Sequence, residues 1–356
     1  MRSSWREHLA ARGAIVEQGE IRGFGDPGAR SREPALATSS TVLAPLTERG
    51  LLRVTGSDAE KFLQAQITND LRDVTAARSG PGAYCTPQGR MVANFRTLRH
   101  GSDLELATVG DILPGLVERL TYFRLRAQVV FEDCTGEIVQ LGLAGPGGAD
   151  ALARASLDAP GDLHGVTTRD GTRVVRVETE PERYEILAPA GSGPDLWDAL
   201  AGEGVAAVGP AAWRLLDVRG GIPWIHAANA EAFVPQMANL HAIDGISFTK
   251  GCFPGQEIVA RLRYRGTLKR RMYRLRTAGA REPAPGDAVT TAAGRAAGKV
   301  VLSAPAPDAG HELLAVLPVD VAESAEDLFL SDGAPLVRES LPYDVERSLA
   351  SRAPDG

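Results

Sequence analysis

One thiol stands where a loop hands over to a helix. The segment Lys250-Gly251-Cys252-Phe253-Pro254-Gly255-Gln256-Glu257-Ile258-Val259-Ala260-Arg261-Leu262 sets Cys252 a few residues before a run of good helix formers. Gly251, Pro254 and Gly255 are loop punctuation, so the helix is predicted to begin near Pro254. Unpaired N–H groups at a helix start, together with the nearby Lys250 ammonium, favour thiolate over thiol and make Cys252 the candidate nucleophile. Against this stands the plainer use of a free cysteine as a small buried hydrophobe. Gln256 and Glu257 fall in the first helical turn, where a carboxylate complements the dipole and orders the Cys252 loop, while Lys250 serves either as an anion contact or as a surface residue.

Directly after this motif comes a basic stripe. Arg261, Arg263, Arg265, Lys269, Arg270, Arg271, Arg274 and Arg276 occur with Tyr264 and Tyr273 between them and without an acid in residues 261–276. Such a run meets anions or water. It is a candidate guide for a polyglutamate tail or an RNA backbone, with Arg261, Arg263, Tyr264 and Arg265 nearest the motif; the alternative is a solvated strand whose arginines pair with acids from elsewhere.

These residues must be positioned by a chain of 356 residues, long enough for two or three domains. Its hydrophobic content of 44% and charged content of 24% are ordinary for a globular protein, and a net charge of −6 argues against nucleic-acid binding over the whole surface. Three widely spaced cysteines, Cys85, Cys134 and Cys252, offer neither a disulfide framework nor a Cys-x-x-Cys site. The histidines show no local pair at metal-ligand spacing, so no structural metal is expected. The N-terminal residues lack the apolar run of a secretory signal and no stretch is long enough to span a bilayer, which points to a cytoplasmic protein without a membrane partner.

Along the chain, residues 1–40 mix Gly, Arg, Glu, Pro and Ser and read as a loosely docked arm. A short strand at Leu51–Val54 leads to Ser57-Asp58-Ala59-Glu60, where Ser57 and Glu60 are placed to cap each other's backbone. Turns near Gly89 and Gly101 separate strands of an antiparallel meander, and Leu113 to Phe123 has helical spacing after a possible Asp111 cap. A second α+β unit follows over about 137–208, with a hairpin at Asp170-Gly171. Gly145-Pro146-Gly147-Gly148 lacks the spacing of a dinucleotide loop and is rejected as one. Beyond Met272, short runs of Val, Leu and Ala suit a small β-barrel or sandwich, and residues 346–356 read as a tail.

Three segments then carry a resemblance: Gly56-Ser57-Asp58-Ala59-Glu60-Lys61-Phe62-Leu63-Gln64-Ala65-Gln66-Ile67-Thr68-Asn69-Asp70, Tyr84-Cys85-Thr86-Pro87-Gln88-Gly89-Arg90-Met91, and Phe233 through Gly245-Ile246-Ser247-Phe248-Thr249-Lys250-Gly251-Cys252 to Gly266. Together they resemble the YgfZ branch of the folate-binding family that also includes the glycine-cleavage T-protein. The resemblance implies an α+β fold: a three-domain cloverleaf around a central channel, with a discontinuous first domain (41–136 and 209–271), a ferredoxin-like insert (137–208) and a C-terminal β-barrel (272–345). It further implies tetrahydrofolate as cofactor, held in the channel, and a role with iron–sulfur client proteins, including enzymes that modify tRNA.

Residue by residue, Trp213 matches a tryptophan that bacterial relatives use near folate; a core tryptophan beside Leu216 is the alternative. Asn69 closes the first motif as a channel candidate. Three positions depart from the family. Arg49 stands where relatives carry a second tryptophan. Ala93-Asn94 stands where the T-protein has its catalytic aspartate, leaving Asn94 as a neutral channel residue. Arg219 stands where the T-protein has a pterin-holding glutamate. A neutral amide cannot do carboxylate work, so conventional aminomethyl transfer is not expected, although a neighbouring acid could substitute.

Overall fold

Short β-branched and leucine-rich runs, broken at Gly and Asp turns, fold into three large sheets and a small N-terminal hairpin. The computed structural model describes residues 3–26, 28–264, 268–324 and 326–346. The first sheet is antiparallel and five-stranded, in the order Gly80–Cys85, Met91–His100, Asp103–Val109, Arg49–Thr55 and Val130–Asp133. Helix Leu113–Phe123 buries Leu113, Leu116 and Leu120 against it.

The second sheet has six strands. The segment 138–207 runs strand, helix, three strands, helix, strand, and one further strand, Thr41–Pro45, is inserted between Ile138–Ala144 and Val205–Ala207. Thr41–Pro45 pairs antiparallel with the former and parallel with the latter, so a stretch expected in the first unit lies in the sheet of the second. At the predicted hairpin, Asp170 and Gly171 have φ of 49° and 78°, as a two-residue turn between right-twisted strands requires. The third sheet is a closed six-stranded barrel, Arg270–Thr277 through His311–Pro318, Ala296–Pro305, Ala288–Thr291, Leu328–Leu330 and Pro335–Glu339. Among the described residues no helix is long and apolar enough to cross a membrane.

Two expectations are corrected here. The first forty residues do not form a loose arm: helix Ser3–Ala11, the hairpin Ala14–Glu17/Glu20–Phe24 and helix Glu33–Ser39 are packed onto the second sheet. Phe24 stacks on Trp197 at 5.3 Å between ring centroids, Trp5 meets the same indole edge-on, and the buried Glu33 carboxylate accepts from Phe24 N at 2.6 Å and Gly209 N at 2.9 Å. A few large aromatics and one buried acid do what average composition conceals. Nor does the Ser57/Glu60 box form. Asp58 instead accepts from Gln128 N, and Glu60 pairs with Arg99, each tying the short helix Ala59–Gln64 to a neighbouring segment. The expected tail lies mostly outside the described residues.

Candidate functional site

Two cavities open where the sheets converge, and they share Pro81, His164 and Asp244 as walls. The inner compartment, about 440 Å³, is lined by Phe95, Ile222, Trp224, Leu240 and Tyr343 with Asn94, Arg96 and Glu178 among them. The outer compartment, about 490 Å³, is lined by Asn69, Asp70, Ser79, Phe248, Thr249, Arg78 and Arg263. The first sheet contributes through strands Gly80–Cys85 and Met91–His100, the second through Val177 and Glu178, and the segment after the barrel through Pro342 and Tyr343.

Trp224 is set by three contacts. Its Nε1 donates to Asp217 Oδ2 at 3.0 Å, the Arg49 guanidinium stacks over its ring 3.5 Å from the centroid, and Asn94 grips the backbone on either side, donating to Pro223 O at 2.7 Å and accepting from Ile225 N at 2.8 Å. Asn94 thus spends one donor and one acceptor on a loop, which a carboxylate could not do. Asp217 is the hub behind this wall. It also accepts from Arg49 at 2.7 Å and from Arg183 at 2.5 Å, and Arg183 continues to Glu178 Oε2 at 2.9 Å. Arg219, the other departure, turns from the cavity and pairs with the buried Glu312 of the barrel at 2.6 Å. Its charge is neutralised across a domain junction.

Between the compartments stands His164, buried, with φ of 67°. Its Nδ1 lies 3.1 Å from Arg96 Nη1 and its Nε2 lies 3.7 Å from Asp244. Burial, reinforced by Arg96 and opposed by Asp244, holds its pKa below the usual 6.5. His241, also buried, is brought to about 4, chiefly by burial. Both groups are therefore favoured neutral in the folded state, and the stability they contribute is present above the unfolded pKa near 6.5 and lost as pH falls through the folded values. Urea midpoints are expected to fall progressively from about pH 6.5 toward 4, and His241→Gln to flatten that slope; a slope unchanged in the variant counts against the assignment.

The candidates from sequence divide sharply. Asn69 reaches the outer compartment, its side chain filling space that only Gly82 leaves open: a Cβ at 82 would lie 2.0 Å from Asn69 Oδ1. That oxygen is buried without a hydrogen-bond partner among the described residues. Arg263 lines the same compartment with its guanidinium over the Phe248 ring at 4.1 Å. Lys250 is neither an anion contact nor a surface residue. It is buried beneath the outer compartment and donates to Ile67 O at 2.7 Å and Asn69 O at 2.8 Å, with its pKa lowered to about 8 by burial. Lys250→Met, which strands both carbonyls, is expected to cost about 1–3 kcal/mol in urea unfolding, and a change under about half that would show the carbonyls rehydrated.

Trp213 is corrected from ligand contact to core. It is 2% exposed, packs its ring against Gly142 and lies under Arg183 at 4.4 Å, behind the wall. Trp224, which sequence reading passed over, is the indole at the cavity; its sign was the Gly221-Ile222-Pro223 loop signal directly before it. Cys252 does not face inward. Phe253 takes the buried place while Gly251 and Cys252 point to solvent, so Cys252 is the exposed cysteine, whereas burial pushes the Cys85 thiol up to about 12 and that of Cys134 to about 11. Gln256, Glu257 and Arg261 sit on helix Gln256–Tyr264 and are not among the residues lining either compartment. Arg265 and the Tyr264 side chain lie outside the described residues.

Part of the basic stripe is paired with acids from other elements. Arg271 meets Glu323 at 2.5 Å and Glu346 at 3.1 Å, Arg274 meets Glu312 at 3.4 Å and Glu339 at 3.7 Å, and Arg276 meets Asp308 at 3.1 Å. Exposed Arg261, Lys269 and Arg270 keep no carboxylate partner among the described residues.

Residues 31–244 match the GCVT N-terminal domain. The backbone is similar to the glycine cleavage system aminomethyltransferase T from Bartonella henselae, with a TM-score of 0.74 at 19% identity over 94% of this chain and 96% of that one. The molecule is thus an α+β protein of the aminomethyltransferase fold, with a closed C-terminal barrel. In sequence it is 32% identical over 329 residues to the tRNA-modifying protein YgfZ of Klebsiella pneumoniae (strain 342), spanning 88% of this chain and 98% of that one. It is 33% identical over 257 residues to the tRNA-modifying protein YgfZ of Yersinia pseudotuberculosis serotype IB (strain PB1/+), spanning 72% and 77%. The chain belongs to the YgfZ family.

Proposed function

We propose that this chain binds tetrahydrofolate in the two-compartment cavity and supports tRNA modification through the assembly or repair of iron–sulfur enzymes in the cytoplasm. The observation that carries the reading is the division of the cavity. An inner part walled by Trp224, Phe95 and Tyr343 suits a flat heterocycle, and an outer part, where Arg78 and Arg263 stand among Asp70, Asp73 and Asp244, offers two cations to a carboxylate tail. The residues present fit the group: an orphaned buried acceptor on Asn69 and a cavity carboxylate on Glu178 both call for N–H donors. When bound, the folate supplies a one-carbon carrier or a reductant. The chain supplies the slot and its charge pattern.

Isothermal titration of the full chain with tetrahydrofolate is expected to give saturable heat in the micromolar range; no heat at high micromolar ligand removes the reading. Aminomethyl transfer of the conventional kind is disfavoured because Asn94, at the aspartate position, is committed to Pro223 and Ile225. Methylene-tetrahydrofolate formed with turnover would restore it. Cys252, exposed three residues past the cavity-lining Thr249, is available to a protein partner. Its role is tested by Cys252→Ala in a deletion strain. Loss of iron–sulfur enzyme activity supports a reactive thiol, and full rescue makes it dispensable.

One observation favours RNA contact as a second activity: Arg261, Lys269 and Arg270 remain exposed beside the signature helix, and the relatives are named tRNA-modifying proteins. Affinity for tRNA should then fall steeply with salt, and alanine at all three positions should lower the salt slope by about 3.

A further inference from the structure

The inner compartment holds an acid that the sequence motifs do not mark. Glu178 ends strand Thr172–Glu178 of the second sheet and reaches the cavity beside the C-terminus of helix Pro210–Arg219, where a Cβ on Gly220 would lie 3.3 Å from its Oε2. This is the stretch from which Arg219 has turned away to Glu312. Among the described residues, Oε2 accepts from Arg183 at 2.9 Å, and Oε1 has no donor. Arg183 is itself fixed by Asp217, so the carboxylate is oriented by a fully buried guanidinium while one face stays open to the cavity.

We propose that Glu178 recognises the N–H edge of the bound heterocycle, supplying from the second sheet a carboxylate that the helix Pro210–Arg219 no longer offers. The inference rests on the folate reading and deepens it. A carboxylate is acceptor-only, so it selects a ring that presents adjacent N–H donors, as the amino-pyrimidine edge of a pterin does, and rejects one that presents acceptors there. The aromatic wall of Phe95 and Trp224 confines that ring to a slot; of the carboxylates that line it, Glu180 is exposed and Asp244 faces His164, whereas Glu178 is fixed by the buried Arg183 guanidinium. Burial raises the Glu178 pKa although Arg183 opposes this, so a ligand bringing donors also favours the ionised form.

The test titrates wild type and Glu178→Gln with tetrahydrofolate and with an analogue whose 2-amino group is replaced by methyl. Wild type should prefer tetrahydrofolate by about 10- to 100-fold, the loss expected for a hydrogen bond to a charged acceptor, and Glu178→Gln should lose most of that preference. Arg183 keeps Asp217 in the variant, so the fold is expected to survive, and a circular-dichroism melt checks it. Equal discrimination by both proteins, or unchanged tetrahydrofolate affinity in Glu178→Gln, overturns the role of Glu178 and leaves the folate reading standing. Absence of binding to wild type overturns that reading and this inference with it.

Discussion

Asp217→Ala is expected to lower folding stability by about 3–5 kcal/mol, the range for breaking one side of a buried ion pair. The carboxylate is 2% exposed and accepts from Arg49, Arg183 and Trp224 at once. Removing it leaves Arg183 with Glu178, whereas Arg49 is left over the Trp224 ring without a carboxylate among the described residues. Most of the cost therefore sits on Arg49. Arg49→Met combined with Asp217→Ala should recover part of the loss, because it removes the stranded charge and keeps an apolar stem against the indole. Denaturant unfolding of the two single variants and the double variant measures this coupling. A loss below about 1 kcal/mol in Asp217→Ala would mean that water reaches the hub and that the wall behind Trp224 is softer than its geometry implies.

This hub also shows why two of the three family departures, Arg49 and Arg219, are interpretable only in three dimensions. Arg49 and Asp217 lie on different elements, a strand of the first sheet and helix Pro210–Arg219, and no local pattern pairs them. Read alone, Arg49 is a lost aromatic and Arg219 a reversed charge. In the fold, the first becomes a lid on Trp224 and the second a clasp to Glu312. The legible parts were those governed by short-range rules: the Asp170-Gly171 hairpin, the strand runs of the barrel, and a helix at Gln256–Tyr264 two residues past Pro254. Amphipathic spacing could not choose between Trp213 and Trp224, since both sit next to apolar neighbours and only the layering of helix on sheet decides which indole meets the cavity. Within the acid-free run at 261–276 the partners of Arg271, Arg274 and Arg276 were hidden for the same reason, arriving from Asp308, Glu312, Glu323, Glu339 and Glu346 on other strands and loops. Glu178 carried no local mark at all, because its meaning depends on Gly220 and Arg183 converging on it.

The signature loop depends on one backbone contact, and Gly255→Ala is expected to break it at a cost of about 3 kcal/mol or more. Gly255 has φ of 79°, a conformation that L side chains rarely adopt, and a Cβ there would lie 2.4 Å from Gly89 Cα and 2.7 Å from Thr86 O. Those are backbone atoms of the turn between strands Gly80–Cys85 and Met91–His100, which cannot move aside as a flexible side chain would. Two separate motifs thus meet through their glycines, the Gly89 turn holding the start of helix Gln256–Tyr264 and through it the run Phe248 to Lys250 that walls and underlies the outer compartment. Gly251→Ala is the internal control. Its φ is not in the left-handed range and no heavy atom lies within 4 Å of the added methyl, so a change within about 0.5 kcal/mol is expected. If the helix start docks as described, denaturant unfolding separates the two alanines by several kilocalories per mole, and Gly255→Ala also weakens tetrahydrofolate binding at temperatures where it remains folded. Equal stability of the two variants would show that the loop relaxes without disturbing the sheet, and the wall of the outer compartment would then have to be held by Lys250 and its carbonyl contacts alone.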